Sequence, residues 1–288
     1  MQDSSRPIVK ICGAVYTAPQ GIIELMRFYN EAAQHNNTTI SIDLYSLTWI
    51  DANLASFLNA LIYRLNTENN LQFSTDFNYV ESKFDVLFRN GWLQRKEYKL
   101  VDKRATTIPC AQFLPSQELK FTEYIEKSLL CHRGIMPHLD HGTRRQIQSN
   151  LIEIFQNFGK HARTDYPLFA CGQYYPNKKY FIFSMVDLGI GFLKPIQNFT
   201  NGEINSHIGA IRWGLSGKSS SITDPSSEIG GFGLQGIHQY CQGNKGIFQI
   251  YTGTDFWGTD LENTADRGHI EIGYFQGSLL NLFFNVNS

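Results

Sequence analysis

The sequence predicts a two-domain α/β (α+β) protein, and three observations carry that expectation. The chain has 288 residues, 42% hydrophobic and 18% charged, enough to bury two cores of ordinary domain size. Strand-like and helix-like periods alternate twice along it, once up to about residue 113 and again from about residue 143. Between them lies a helical connector broken at Gly134 and Pro137. The expected division is therefore 1–113, 114–142 and 143–288.

In the first block, IVKICGAVY alternates as one strand, and GIIELMRFYNEAAQH follows with helical spacing closed by Asn36 and Asn37. TTISIDLYSL is a β-branched strand, and DANLASFLNALIYRLN is a helix opened by an Asp or Asn cap. LQFSTDF, a helix over about Val80–Phe88, and a short strand in TTIPCAQF complete that block as a small sandwich. The connector carries one amphipathic helix, SQELKFTEYIEKSLL. The second block opens with a helix from about Thr143 to Ala162, then a hairpin with Asn177 in its turn. A Gly- and Ser-rich loop from Gly189 to Gly231 leads to a helix near Leu234–Cys241. GIFQIYTGT, HIEIGYF and SLLNLFFNV read as three closing strands.

Composition narrows the function. Lys+Arg is 25 against Asp+Glu 26, so no net field recruits nucleic acid or an anionic membrane, and no nucleic-acid motif is present. The five cysteines are scattered without CxxC spacing, as expected for reduced thiols in the cytoplasm. No apolar run approaches ~18 residues and the N-terminus lacks a signal-like apolar core, so the expected location is cytoplasmic.

Three short patterns carry chemistry. In NLIEIFQNFGKHA, Glu153 and Asn157 are one turn apart, with Asn150 a turn earlier. A carboxylate orients a nucleophile and an amide oxygen binds Mg²⁺, although such a pair is also ordinary on a solvated helix face. In VDLGIGF, Asp187 ends a strand where it can accept from an exocyclic amino group, and Gly189 and Gly191 let backbone approach a ring. The same residues are common turn chemistry. In GGFGLQGI, Gly231 and Gly233 precede Leu234 at a helix start, whose free N–H groups suit phosphate. CHRGIMPHLDH brings His132, His138 and His141 close in sequence, but its spacing matches no zinc motif and reads as a His-bearing loop.

Taken in order, the three patterns resemble the N-box and two glycine boxes of the GHKL ATPases, the superfamily of gyrase B, Hsp-type chaperones, histidine kinases and MutL. The resemblance covers about residues 143–288, including the closing FQGSLLNLFFNV, and implies a Bergerat-type α/β sandwich with a mixed sheet. It implies ATP and Mg²⁺ as ligands, Glu153 as catalytic base and Asn157 as the Mg²⁺ ligand. Asn150, Asp187, Gly189, Gly191, Gly231, Gly233 and Leu234 would line the nucleotide site. The stretch between the glycine boxes would be an ATP lid, with Lys218, Ser219 and Ser220 toward the γ-phosphate and Lys160 and His161 nearby. A carboxylate at 153, and no helical hairpin bearing a phosphoacceptor histidine, disfavour a sensor histidine kinase.

ISIDLYSLTWIDANLASFLNALIYRL is similar to the core of a STAS domain, which implies that fold for residues 1–113; an unrelated α/β domain stays open. Its loop reads Asp51-Ala52-Asn53-Leu54, without a hydroxyl at the two serine positions of phosphorylated STAS proteins, and Ser56 lies a turn into the helix. The expected function is an ATP-hydrolysing regulator that switches a protein partner or a second subunit. The alternatives are a protein serine kinase or anti-sigma-like factor acting on a separate STAS-type protein, and a non-catalytic module.

Overall fold

The computed structural model describes residues 6–98, 100–161, 164–217, 232–261 and 268–286. It is a mixed α+β protein with both parallel and antiparallel sheets. The strand expected over residues 8–16 is two strands, β1 (Ile8–Lys10) and β2 (Gly13–Val15), because Gly13 takes φ +67° and redirects the chain. β1 pairs parallel with β3 (Thr39–Asp43), and β3 with β5 (Gln72–Ser74). β2 pairs parallel with β4 (Leu47–Ile50), so the segment read as one strand over 38–47 also divides.

Helix α1 (Pro19–Ala32) follows β2, and α2 (Ala55–Asn69) follows a single 3₁₀ turn at Ala52–Leu54. Neither Asp51 nor Asn53 caps that turn as expected; both side chains are committed elsewhere. The helix expected over 80–88 is two short ones, α3 (Phe77–Lys83), capped by Asp76 accepting from Tyr79 N at 3.0 Å, and α4 (Val86–Arg89).

The second sheet has five strands: β6 (Thr107–Phe113), β7 (Leu168–Tyr175), β8 (Tyr180–Asp187), β9 (Ile247–Gly258) and β10 (His269–Asn285), in the order β6-β7-β8-β10-β9. All four pairings are antiparallel, where a mixed sheet was expected. β6, grouped by the sequence with the first block, hydrogen-bonds to β7 instead, and its register shifts between Ile108 and Ala111, where Pro109 has no N–H to give. HIEIGYF and SLLNLFFNV are one strand, β10, interrupted by register shifts between Glu271 and Ser278. The expected loop after Gly189 contains two helices, α7 (Leu193–Phe199) and α8 (His207–Leu215), the latter capped by Ser206 accepting from Gly209 N.

The remaining helices are α5 (Glu118–Tyr124), which runs on as a π turn, α6 (His141–His161) and α9 (Phe232–Gly243). They cover one face of the five-stranded sheet. Ile147, Leu151, Ile154, Phe155 and Phe158 of α6 pack with Phe181, Phe183, Met185, Leu280, Leu282 and Phe284. The opposite face, through Phe169, Cys171, Val186, Tyr251, Phe275 and Leu279, packs on the first block's α1 and α2. Burial on both faces is why β8 and β10 read as near-continuous apolar runs rather than alternating ones. Among the described residues no helix is long and apolar enough to cross a membrane.

A buried polar chain crosses the contact between the blocks. Asp51 accepts from Thr17 N at 2.7 Å, from the Trp49 indole at 2.8 Å and from the Tyr175 hydroxyl at 2.6 Å. Asn53 donates to Thr17 Oγ1 at 3.0 Å and to Ser184 Oγ at 2.8 Å; Ser184 in turn donates to Asn281, and Asn281 to Gln249. Asn53 is fully buried, so Asn53→Ala removes the amide donor from two buried hydroxyls, leaving Thr17 only its bond to Asp51 and Ser184 only its bond to Asn281. The expected cost is about 2–3 kcal/mol of stability, read as a lower urea midpoint. An unchanged midpoint would mean water reaches the chain.

Candidate functional site

Pleating places Asp187 and Ser278 with the helix-covered rows of their strands, continuing Phe183–Met185 on β8 and Leu280–Phe284 on β10. The two residues face each other at the end of that ladder. Burial pushes the Asp187 carboxyl up to about 6, against the lowering effects of the Gly189 N–H, Ser278 and the Arg64 charge. Gly189 N donates to Asp187 Oδ1 at 2.8 Å, closing the strand end into a turn. The Ser278 hydroxyl is buried without a well-formed hydrogen bond, although it lies close enough to favour the carboxylate form of Asp187. A half-buried carboxyl beside a buried hydroxyl is a donor–acceptor pair suited to a planar polar ligand.

Two glycines make this end of the sheet tight. Gly191 has φ +70°, and a Cβ there would lie 2.6 Å from Thr252 Oγ1. Gly277 has φ +139°, and its Cβ would lie 2.3 Å from the Asp187 carbonyl oxygen. Thr252 donates to the Gly277 carbonyl at 2.7 Å and pins the β10 irregularity beside the turn.

The second cluster is the crossing of α6 and α9. A Cβ on Gly233 would lie 2.7 Å from the Asn150 carbonyl oxygen and 2.9 Å from Glu153 Cβ. A Cβ on Gly236 would meet the Asn150 side-chain amide at 2.6 Å. Glu153 therefore stands beside the first turn of α9, and Asn150 is sealed against its second, with its Nδ2 buried and unpaired. Asn157, half-buried, is one turn beyond Glu153 along α6. Leu234 packs on the second core and reaches toward Gly214 of α8.

The structure thus gathers Asn150, Glu153 and Gly233 at one contact, and Asp187, Gly189 and Gly191 at another, with α6 packed over the strand that ends in Asp187. Lys218, Ser219, Ser220 and Gly231 lie outside the described residues, as do the side chains of Lys160 and His161. His132 is packed edge-on against Tyr174 and Phe181, and burial lowers its pKa. Sequence reasoning missed Ser278, Thr252 and Gly277; the Gly-Ser pair opening SLLNLFFNV was the available signal. Comparison with known protein families, with curated proteins and with solved structures finds no match.

Proposed function

We propose that residues 143–288 form a GHKL-type site that binds ATP with Mg²⁺ and hydrolyses it, making the chain a nucleotide-operated switch toward a protein partner or a second copy. The observation that carries this reading is the Asp187–Ser278 pair, a half-buried carboxyl and a buried hydroxyl without a well-formed bond at a glycine-lined strand end. Asp187, ionised, accepts from the exocyclic amine of adenine, and the backbone at Gly189 and Gly191 lies along the ring. The start of α9 offers free N–H groups and the positive end of its dipole to the phosphates. Asn157 supplies one oxygen to Mg²⁺, a cation that takes few protein ligands beside phosphate and water, and the bound ion neutralises phosphate charge. Glu153, next to that helix start, orients the attacking water and accepts its proton.

The first block, in the STAS-like reading, is a cover for the sheet rather than a phosphoacceptor. Asn53 stands at a serine position of the loop and is fully buried, and Ser56, 1% exposed, donates to the Asn53 carbonyl. Calorimetry of the full chain with ATP is the direct test. Wild type should bind ATP with Mg²⁺ and discriminate against GTP, which carries a carbonyl where adenine has its amine. Asn157→Ala should weaken binding about 10–100-fold in Mg²⁺ and much less in EDTA. No binding by wild type would sink the reading; binding followed by transfer of label to a protein, not to water, would favour the serine-kinase alternative.

A further inference from the structure

We infer that Arg64, on α2 of the first block, is a positioning residue for the base-binding end of the nucleotide site, so that the first block sets nucleotide affinity in the second; this rests on the nucleotide reading above. Arg64 is 3% exposed and reaches the sheet from the face opposite α6. Its Nη2 donates to the Leu188 carbonyl at 2.8 Å and its Nη1 to the Gln276 carbonyl at 2.7 Å. Leu188 directly follows Asp187, and Gln276 lies two residues before Ser278, so one guanidinium ties together the two segments that carry the Asp187–Ser278 pair. The planar fork holds the two bonds in fixed directions, which the rotating donors of an ammonium do not.

The surroundings fit a holding role. The guanidinium carbon sits 5.8 Å from the Phe275 ring centroid, and Phe275 meets Phe57 of α2 edge-on at 5.1 Å. Nε is 3.4 Å from Glu68, the i+4 carboxylate on the same helix. The other ionisable groups around this charge are Tyr29 on α1 and Tyr166 before β7. Burying a guanidinium is costly where an apolar side chain would fill the same space. What this one adds is a fixed distance between two backbone segments, together with a positive charge that favours the ionised form of Asp187. Any shift of α2 relative to the sheet acts directly on the Leu188 and Gln276 carbonyls, which gives the first block a mechanical hold on the site.

The test uses the full chain with Arg64→Met, which keeps an apolar stem over Phe275, and Arg64→Lys. Leu25→Ala, a core truncation in α1, serves as a control for general destabilisation. ATP·Mg²⁺ affinity is measured from pH 5.5 to 8.5, with melting curves confirming the fold. Arg64→Met should weaken ATP about tenfold or more and move the acid limit of binding to higher pH, since Asp187 loses the cation that helps it ionise. Arg64→Lys should recover the pH limit but only part of the affinity, and Leu25→Ala should leave both unchanged. Wild-type affinity and pH profile in Arg64→Met, or equal losses in Leu25→Ala, would overturn the inference while leaving the nucleotide reading intact. Failure of wild type to bind ATP would overturn both.

Discussion

Glu153→Ala is expected to abolish phosphate release from ATP·Mg²⁺ while leaving nucleotide affinity close to wild type. Loss of a general base costs about 10²–10⁴ in rate, whereas a carboxylate that orients water contributes little to holding the nucleotide. Geometry supports that division of labour. Glu153 Cβ is 2.9 Å from where a Gly233 Cβ would be, at the first turn of α9, and not at the strand end where Asp187 lies. Steady-state release of labelled phosphate, run beside calorimetric binding, separates the two quantities. Turnover that survives in Glu153→Ala would reduce Glu153 to a packing residue of the α6–α9 crossing. Loss of binding together with turnover would mean that the crossing itself collapsed.

Asp187→Asn is expected to do two opposite things. In the proposed nucleotide site it removes the acceptor for the adenine amine, and loss of a charge-assisted hydrogen bond predicts about 10–100-fold weaker ATP. It should also stabilise the free protein at neutral pH. Burial raises this carboxyl from 3.8 to about 6 in the folded chain, so the native state binds the proton more tightly than the unfolded state does. The associated stability is present below the unfolded pKa and is lost as pH rises through the folded one. Above about pH 6 the folded chain carries the cost of a half-buried, partly desolvated charge, about 1–3 kcal/mol. The neutral amide escapes that cost. Asp187→Asn should therefore melt higher than wild type at pH 8, with the advantage gone by pH 4. A variant that melts lower at pH 8 would show that the carboxylate is needed to hold the Gly189 turn, and that its burial is structural.

Both predictions start from residues legible in the sequence. Helical period located α6, apolar runs on either side of the Asn177 turn located the β7–β8 hairpin, and glycines opening an apolar helix located α9, each to within a few residues, because these are local properties. The spacing of Glu153 and Asn157 on a helix, and of Asp187 at a strand end before two glycines, was readable for the same reason. Local reading failed where a segment's state depends on a distant partner. β6 belongs to the second sheet only because β7 offers it an edge, and β10 is one strand because β9 pairs with both of its halves across the irregularity at 272–277 while β8 pairs with the second. α7 and α8 were hidden by the Gly and Ser composition of their surroundings.

The sequence by itself determined which residues stand at the helix face, the strand end and the second helix start, and the order in which these elements present them. Only the tertiary structure decided that the first block lies against the back of that sheet. Asn53 meets Ser184 across a separation of 131 residues, and Arg64 meets Gln276 across 212. In the sequence Asn53 looks like a helix cap and Arg64 like one more charge on an amphipathic helix. A hydrogen-bond partner more than a hundred residues away leaves no periodic mark on the local sequence, so contacts of this kind become visible only once the chain is folded.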